Sequence, residues 1–249
     1  MHDKQFFGPF KKKLDIPNVQ ILDEVYLDED FVTFYNQQLT NNNDLETFKN
    51  LLSKNDTILE IGSGSGRIFN PLSKQGFNIY GIEPSQEMSS YILSEYRHKI
   101  FNIKAQDIEE LCKTGINFSK IIIPATTISL FAHKDFEMFI KKIYGLLNER
   151  GRIIFDFINP DYLYKMDGKV NVSTQNGNKV YFSNYLRDSY FILNVYLQSG
   201  KQKKLGYSLK NLYTLDILNE MCKENNYSLN VLLKNNVYLL VEMRKNGDS

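Results

Sequence analysis

The sequence predicts an α/β fold: a Rossmann-like, mostly parallel seven-stranded sheet with helices on both faces, an antiparallel β flap inserted after the fifth strand, and an N-terminal helical segment. Three observations predict it. Short β-branched or aromatic runs alternate with helix-period segments through the middle third of the chain. The first of those runs ends in a glycine-rich turn. After Pro160 the alternation gives way to strand-like runs around Asn176-Gly177, a strong hairpin signal.

The five strands of the parallel part are expected at 57–61, 77–83, 102–105, 120–123 and 152–158, each bounded by Gly, Pro, Asn or charge. Ser85 can cap a helix running to Tyr96. The segment 134–147 places Phe136, Phe139, Ile140, Ile143 and Leu147 on one face, and Gly151 is expected to stop that helix and turn the chain into the fifth strand. Helices are also expected at 29–39 and 45–52. Runs at 170–175, 179–186 and 190–197 form the flap, which serves either as a lid or as a homodimer surface. Thr214 caps an amphipathic helix reaching about Asn225, and strands at 228–233 and 237–244 close the sheet as an antiparallel hairpin. The chain reads as one decorated domain: a cap segment (1–44), a cofactor-binding core (45–160), the inserted flap (161–212) and a C-terminal helix and hairpin (213–249).

Bulk chemistry narrows the function. Thirty Lys and Arg against 29 Asp and Glu leave a net charge of +1, too little field to recruit nucleic acid or an anionic membrane. No window approaches the roughly 18 apolar residues of a membrane span, and the two cysteines, Cys112 and Cys222, lack metal-ligand spacing. A cytoplasmic protein without a metal site is expected.

The informative stretch is Ile58-Leu59-Glu60-Ile61-Gly62-Ser63-Gly64-Ser65-Gly66-Arg67. Glycine is needed where backbone must approach a ligand closely or adopt positive φ. A dinucleotide loop would read Gly-x-Gly-x-x-Gly, but here Arg67 holds the third glycine position and Gly66 comes one residue early. Glu60, two residues before the loop, would repel a diphosphate and suits a ligand carrying an ammonium.

On these residues the chain resembles the class I S-adenosylmethionine-dependent methyltransferases, whose first motif has this Glu/Asp-x-Gly-x-Gly-x-Gly form. The resemblance covers roughly residues 45–160. It implies S-adenosyl-L-methionine as cofactor, S-adenosyl-L-homocysteine as product, and contacts from Glu60, Gly62, Ser63, Gly64, Gly66 and Arg67. It also implies Glu83 as the acid that takes both ribose hydroxyls, with Pro84 and Met88 beside it. Asp107 would accept the adenine amino group and the Ile108 amide would face a ring nitrogen. Pro124 and Ala125 fall where the family brings the acceptor to the sulfonium. The Asn/Asp-Pro-Pro-aromatic sequence of nucleic-acid-base methyltransferases is missing there, which favours a small-molecule acceptor, methylated on oxygen or nitrogen.

The donor is already activated, so positioning and exclusion of water can carry the reaction without a metal. Where the acceptor must lose a proton, His133 is the candidate base, against the plainer reading of a helix-start residue. Tyr35, in the N-terminal segment, is a second candidate for closing the site. A non-catalytic cofactor-binding subunit and a protein or RNA methyltransferase stand as alternatives.

Overall fold

The computed structural model describes residues 4–28, 30, 31, 34, 44–175 and 177–247. Among them the strands are β1 (Val19–Leu22), β2 (Thr57–Ile61), β3 (Asn78–Ile82), β4 (Ile100–Phe101), β5 (Phe118–Ile123) and β6 (Leu147–Ile158). The rest are β7 (Asn171–Gln175), β8 (Asn178–Leu186), β9 (Tyr190–Ser199), β10 (Gln202–Asn211), β11 (Tyr227–Lys234) and β12 (Tyr238–Lys245). By contacts the chain divides into two compact units: Met1–Asn42 with Pro160–Leu212, and Asn43–Asn159 with Tyr213–Ser249.

The larger unit holds a seven-stranded sheet in the order β11-β12-β6-β5-β2-β3-β4. β2 runs parallel to β3 and β5, β5 parallel to β6, and β12 antiparallel to both β6 and β11. From β2 the chain builds outward through β3 and β4, then returns to place β5 on the other side of β2. That reversal is a topological switch point, and the carboxyl ends of β2 and β5 flank the crevice where such sheets bind ligands.

Alternation along the strands sorts the core onto two faces. Leu59, Ile61, Ile121, Ile123, Ile153, Phe155 and Phe157 pack with Phe136, Phe139, Ile140 and Ile143 of the helix His133–Ile143 and with Leu218 and Met221 of the helix Leu215–Glu224. On the opposite face Ile58, Ile122, Ile154 and Leu240 meet Phe48, Phe69 and Leu72. Each such fully buried side chain contributes about 1.5–3 kcal/mol. Glu60 and Asp156 stand two residues beyond Ile58 and Ile154, so these two acids share the second face.

Several sequence expectations shift. The third strand is Ile100–Phe101 rather than 102–105, because the Asn102 side chain leaves the ladder to donate to the Glu83 carbonyl and to Ser89 Oγ, both at 2.9 Å. The helix capped by Ser85 ends at Ser89, not Tyr96. The Ser89 and Ser90 hydroxyls donate back to the carbonyls of Gln86 and Glu87 at 3.1 and 2.6 Å, competing with continuation of the helix. The helix expected to reach Leu147 ends at Ile143, because Leu147 already pairs with Phe118 at the start of β6. Gly151 therefore lies inside β6 instead of stopping a helix. Thr214 does cap its helix, Oγ1 accepting from Ile217 N–H at 3.2 Å.

The smaller unit holds a five-stranded sheet in the order β1-β10-β9-β8-β7. β7 to β10 form an antiparallel meander, with Gln175 opposite Asn178 where β7 meets β8; Asn176 of the predicted turn lies outside the described residues. β10 and β1 are additions to the predicted flap, and β1 pairs parallel to β10. Asn194, fully buried on β9, fixes the N-terminal segment: its Oδ1 accepts from Phe7 N–H at 2.9 Å and its Nδ2 donates to the Gln5 carbonyl at 2.8 Å. Pro160 opens a short helix, Pro160–Met166, where its fixed φ suits a first turn. Most of the helix expected at 29–39 lies outside the described residues, whereas the one expected at 45–52 is found as Asp44–Lys49.

Candidate active site

The chain leaves β2 through Gly62, Gly64 and Gly66, whose φ values of 74°, 55° and 83° are left-handed and strained for any residue with a side chain. The loop is tied to the end of β3: Gly62 N–H and Ser63 N–H both donate to the Ile82 carbonyl, at 2.9 and 3.0 Å. The buried Ser63 hydroxyl occupies the space a Cβ on Gly81 would take, which explains a glycine inside a buried strand.

Glu83, one residue past β3, closes this arrangement. Its Oε2 accepts from Gly64 N–H at 2.8 Å and its Oε1 from Ser85 N–H at 2.9 Å. Burial raises its pKa, and these two amides act in the opposite direction. A carboxylate offers about four acceptor positions, so the two amides leave room for two hydroxyls. Met88 reaches over the loop, its Cε 3.7 Å from where a Cβ on Gly64 would stand. Pro84 is exposed.

Glu60 is only 2% exposed, and its Oε2 is buried with no hydrogen-bond partner. Burial pushes its carboxyl up to about 8; the neighbouring Ser63 hydroxyl and then Arg67 oppose this, while Glu83 and Asp44 reinforce it. Arg67 is held in a two-point ion pair with Asp44, NH1 to Oδ1 and NH2 to Oδ2, both at 2.7 Å. Asp156, on β6, is a third acid on this face. Burial and the charge of Asp44 push it up to about 7; Oδ2 accepts from Thr126 N–H at 3.0 Å, and Oδ1 is buried without a partner. Around one guanidinium, then, stand three carboxyl groups, two carrying an unsatisfied buried oxygen. That leaves acceptor capacity for a cationic ligand rather than for a phosphate.

After β5, buried Pro124 leads into Ala125 and Thr126, consecutive left-handed residues at φ 58° and 57°. Thr127 Cγ2 lies 3.0 Å from where a Cβ on Gly62 would stand, so this loop abuts the glycine turn. Asp107 is exposed near the start of the 3-10 segment Ala105–Thr114, its N–H donating to the Lys104 carbonyl at 2.9 Å, and Ile108 beside it is buried. His133 is half-buried as the first residue of its helix, edge-on to Tyr213 with ring centroids 4.9 Å apart. Tyr213 is anchored in turn by its hydroxyl, which donates to the Phe131 carbonyl at 3.0 Å. Tyr35 lies outside the described residues.

Sequence reasoning missed Asp44 and Asp156. An acid within the apolar run Ile153-Ile154-Phe155-Asp156-Phe157-Ile158 is a readable signal, because strand interiors rarely bury charge without purpose. Asp44 offers none, since its partner Arg67 is distant in sequence.

A family model described as a methyltransferase domain matches residues 58–151, which include the glycine loop, Glu83 and the loop after β5. This stretch belongs to the class I S-adenosylmethionine-dependent methyltransferases. Carboxy-S-adenosyl-L-methionine synthase of Nautilia profundicola is 28% identical over 156 residues, 61% of this chain and 64% of that protein. The match thus spans slightly less than two thirds of that relative. Ribosomal RNA small subunit methyltransferase A of Mycoplasma mobile is 26% identical over 231 residues, covering 78% of this chain and 88% of that one. Among solved structures, the S-adenosylmethionine-bound amino pentose methyltransferase CalS10 of Micromonospora echinaspora aligns with a TM-score of 0.67 at 10% identity, covering 90% of this chain and all of that one. At that identity the likeness is one of fold.

The methyltransferase cofactor passes the test of fit. S-adenosylmethionine carries an amino-acid ammonium, a ribose diol and a sulfonium. The partnerless Glu60 oxygen, the remaining acceptor positions of Glu83 and the surplus of carboxyl groups over cations match those features in kind.

Proposed function

We propose that this chain transfers the methyl group of S-adenosylmethionine to an oxygen or nitrogen of a small-molecule metabolite by in-line displacement. The observation that carries the proposal is Glu60: a buried carboxyl with an unpartnered oxygen, directly before a left-handed glycine loop, is stabilised as an anion by an ammonium and offers a diphosphate no countercharge. When bound, the cofactor supplies an electrophilic methyl group, which needs placement more than activation. Gly62, Gly64 and Gly66 let backbone approach it, Glu83 orients the ribose, and Ile108 packs beside Asp107 at the adenine end. His133 is assigned to take the acceptor's proton where one must leave.

Small metabolites are favoured by the balance of charge and by the sequence after β5, Pro124-Ala125-Thr126-Thr127, which lacks the nucleic-acid-base pattern. The amino pentose methyltransferase, whose length this chain matches in fold, supports the same class. The similarity to a ribosomal RNA methyltransferase favours the second reading, an RNA acceptor. Calorimetry with S-adenosylhomocysteine tests the site, and labelled methyl transfer into a metabolite extract against purified RNA tests the acceptor. Binding with label in small amines or alcohols is expected. No binding overturns the cofactor reading; label only in RNA overturns the substrate class; binding without any transfer indicates a non-catalytic subunit.

A further inference from the structure

We infer that Asp156 is a positioning residue for methyl transfer: from β6 it holds the loop 124–129 after β5 in its working shape by accepting the Thr126 N–H. The inference rests on the proposed methyltransferase reading and adds to it a residue outside the family's glycine and ribose motifs.

The loop needs such a hold. Ala125 and Thr126 are successive non-glycine residues at φ 58° and 57°, a conformation that costs about 1–2 kcal/mol per residue and persists only where the surroundings over-determine it. Local bonds fold the far side of the turn. The Pro124 carbonyl accepts from Thr127 N–H at 3.2 Å and from Thr127 Oγ1 at 2.6 Å, while the Thr126 carbonyl accepts from Ser129 N–H at 2.9 Å and from its hydroxyl at 2.7 Å. Asp156 ties the near side to the neighbouring strand, Oδ2 to Thr126 N at 3.0 Å across 30 residues of sequence. Ile123 pairs with Phe155, so Asp156 stands beside Pro124, level with the start of the loop. The hold extends to the glycine turn, because Thr127 packs against Gly62. A carboxyl at this point therefore sets both the wall expected to face the acceptor and one neighbour of the cofactor loop.

The groups facing Asp156 leave this role open at either protonation state. Burial and Asp44 favour the neutral acid, Arg67 the anion, and in both forms an oxygen can accept from Thr126. An asparagine can do the same. Aspartate to alanine cannot, and it leaves a buried N–H without its partner.

The test compares Asp156→Ala and Asp156→Asn by two readouts. The first is amide hydrogen exchange at Thr126 in the full chain, which needs no activity. Exchange about tenfold faster in Asp156→Ala and near wild type in Asp156→Asn is expected. The second is turnover: kcat/KM is expected to fall about tenfold or more in the alanine variant and to recover in the asparagine variant, with the pH profile of kcat unchanged. Unaltered Thr126 exchange in Asp156→Ala overturns the inference. So does an asparagine variant as impaired as alanine, or one that loses a limb of the pH profile, since either outcome makes the carboxyl a proton carrier. If the alanine variant fails to fold, the asparagine variant alone decides through its exchange and pH profile. A wild-type protein that transfers no methyl group sinks the functional reading while the exchange experiment still judges the hold on the loop.

Discussion

Replacing Glu60 by glutamine should remove a pH dependence that the wild-type fold carries. The Glu60 carboxyl is held up to about 8 in the folded chain, chiefly by burial, against 4.5 ordinarily. Between those values the folded chain retains a proton that the unfolded chain has released. The Glu60 contribution to stability is therefore greatest below 4.5, falls as pH rises toward about 8, and is flat above it. The fall is about 1.4 kcal/mol per pH step in mid-window and on the order of 4–5 kcal/mol across it, a large part of a typical domain's total. Asp156 adds its own fall, which starts at 3.8 and has only half its protons left to lose at about pH 7, and the comparison with Glu60→Gln over the step from pH 7 to about 8 isolates Glu60. Over that step wild-type stability should drop roughly 1 kcal/mol more than that of Glu60→Gln. Urea unfolding at each pH measures the difference. Saturating S-adenosylhomocysteine should flatten the wild-type curve, because an ammonium beside Glu60 stabilises the anion, and affinity should rise with pH toward about 8. Identical pH profiles for the two proteins over that step would refute the burial argument, and a curve unmoved by the ligand would refute the ammonium site.

Three further perturbations test the site. Glu83→Ala strips the acceptor from the amides of Gly64 and Ser85 as well as from the ribose, so calorimetry should show S-adenosylhomocysteine affinity falling about 10- to 100-fold; unchanged affinity would remove Glu83 from the site. Gly81→Ala forces a methyl group onto the Ser63 hydroxyl and to 2.7 Å from Ile100 Cδ1, and should cost about 1–3 kcal/mol in thermal unfolding; a wild-type melting temperature would show that the loop yields freely. His133→Ala should cut turnover at least about tenfold with cofactor affinity intact if His133 is the base. Wild-type turnover in that variant would remove His133 as the base and leave it a packing neighbour of Tyr213.

The residues 57–67 were legible because the information is local. A β-branched run, an acid and three glycines declare a strand, its end and a turn that only glycine tolerates, and φ values of 74°, 55° and 83° followed. The same held for Thr214 and its helix, where one side chain caps the nearby backbone. Boundaries were less legible. Nothing in 134–147 alone says that Leu147 will pair with Phe118 and end the helix early.

What only tertiary structure decided is pairing and burial across long separations. β10 was missed because Gln202-Lys203-Lys204 and Lys210 make it look like a solvated loop, yet it pairs with β9 along its whole length and takes β1 as its other neighbour. Asp44 meets Arg67, and Asp156 reaches Thr126, only once strands β2, β5 and β6 lie side by side. The sequence by itself determined that an acid precedes a glycine turn. Its carboxyl holds a proton, with Oε2 unpartnered, only because the folded sheet and the helices over it take away the water that would otherwise solvate its charge.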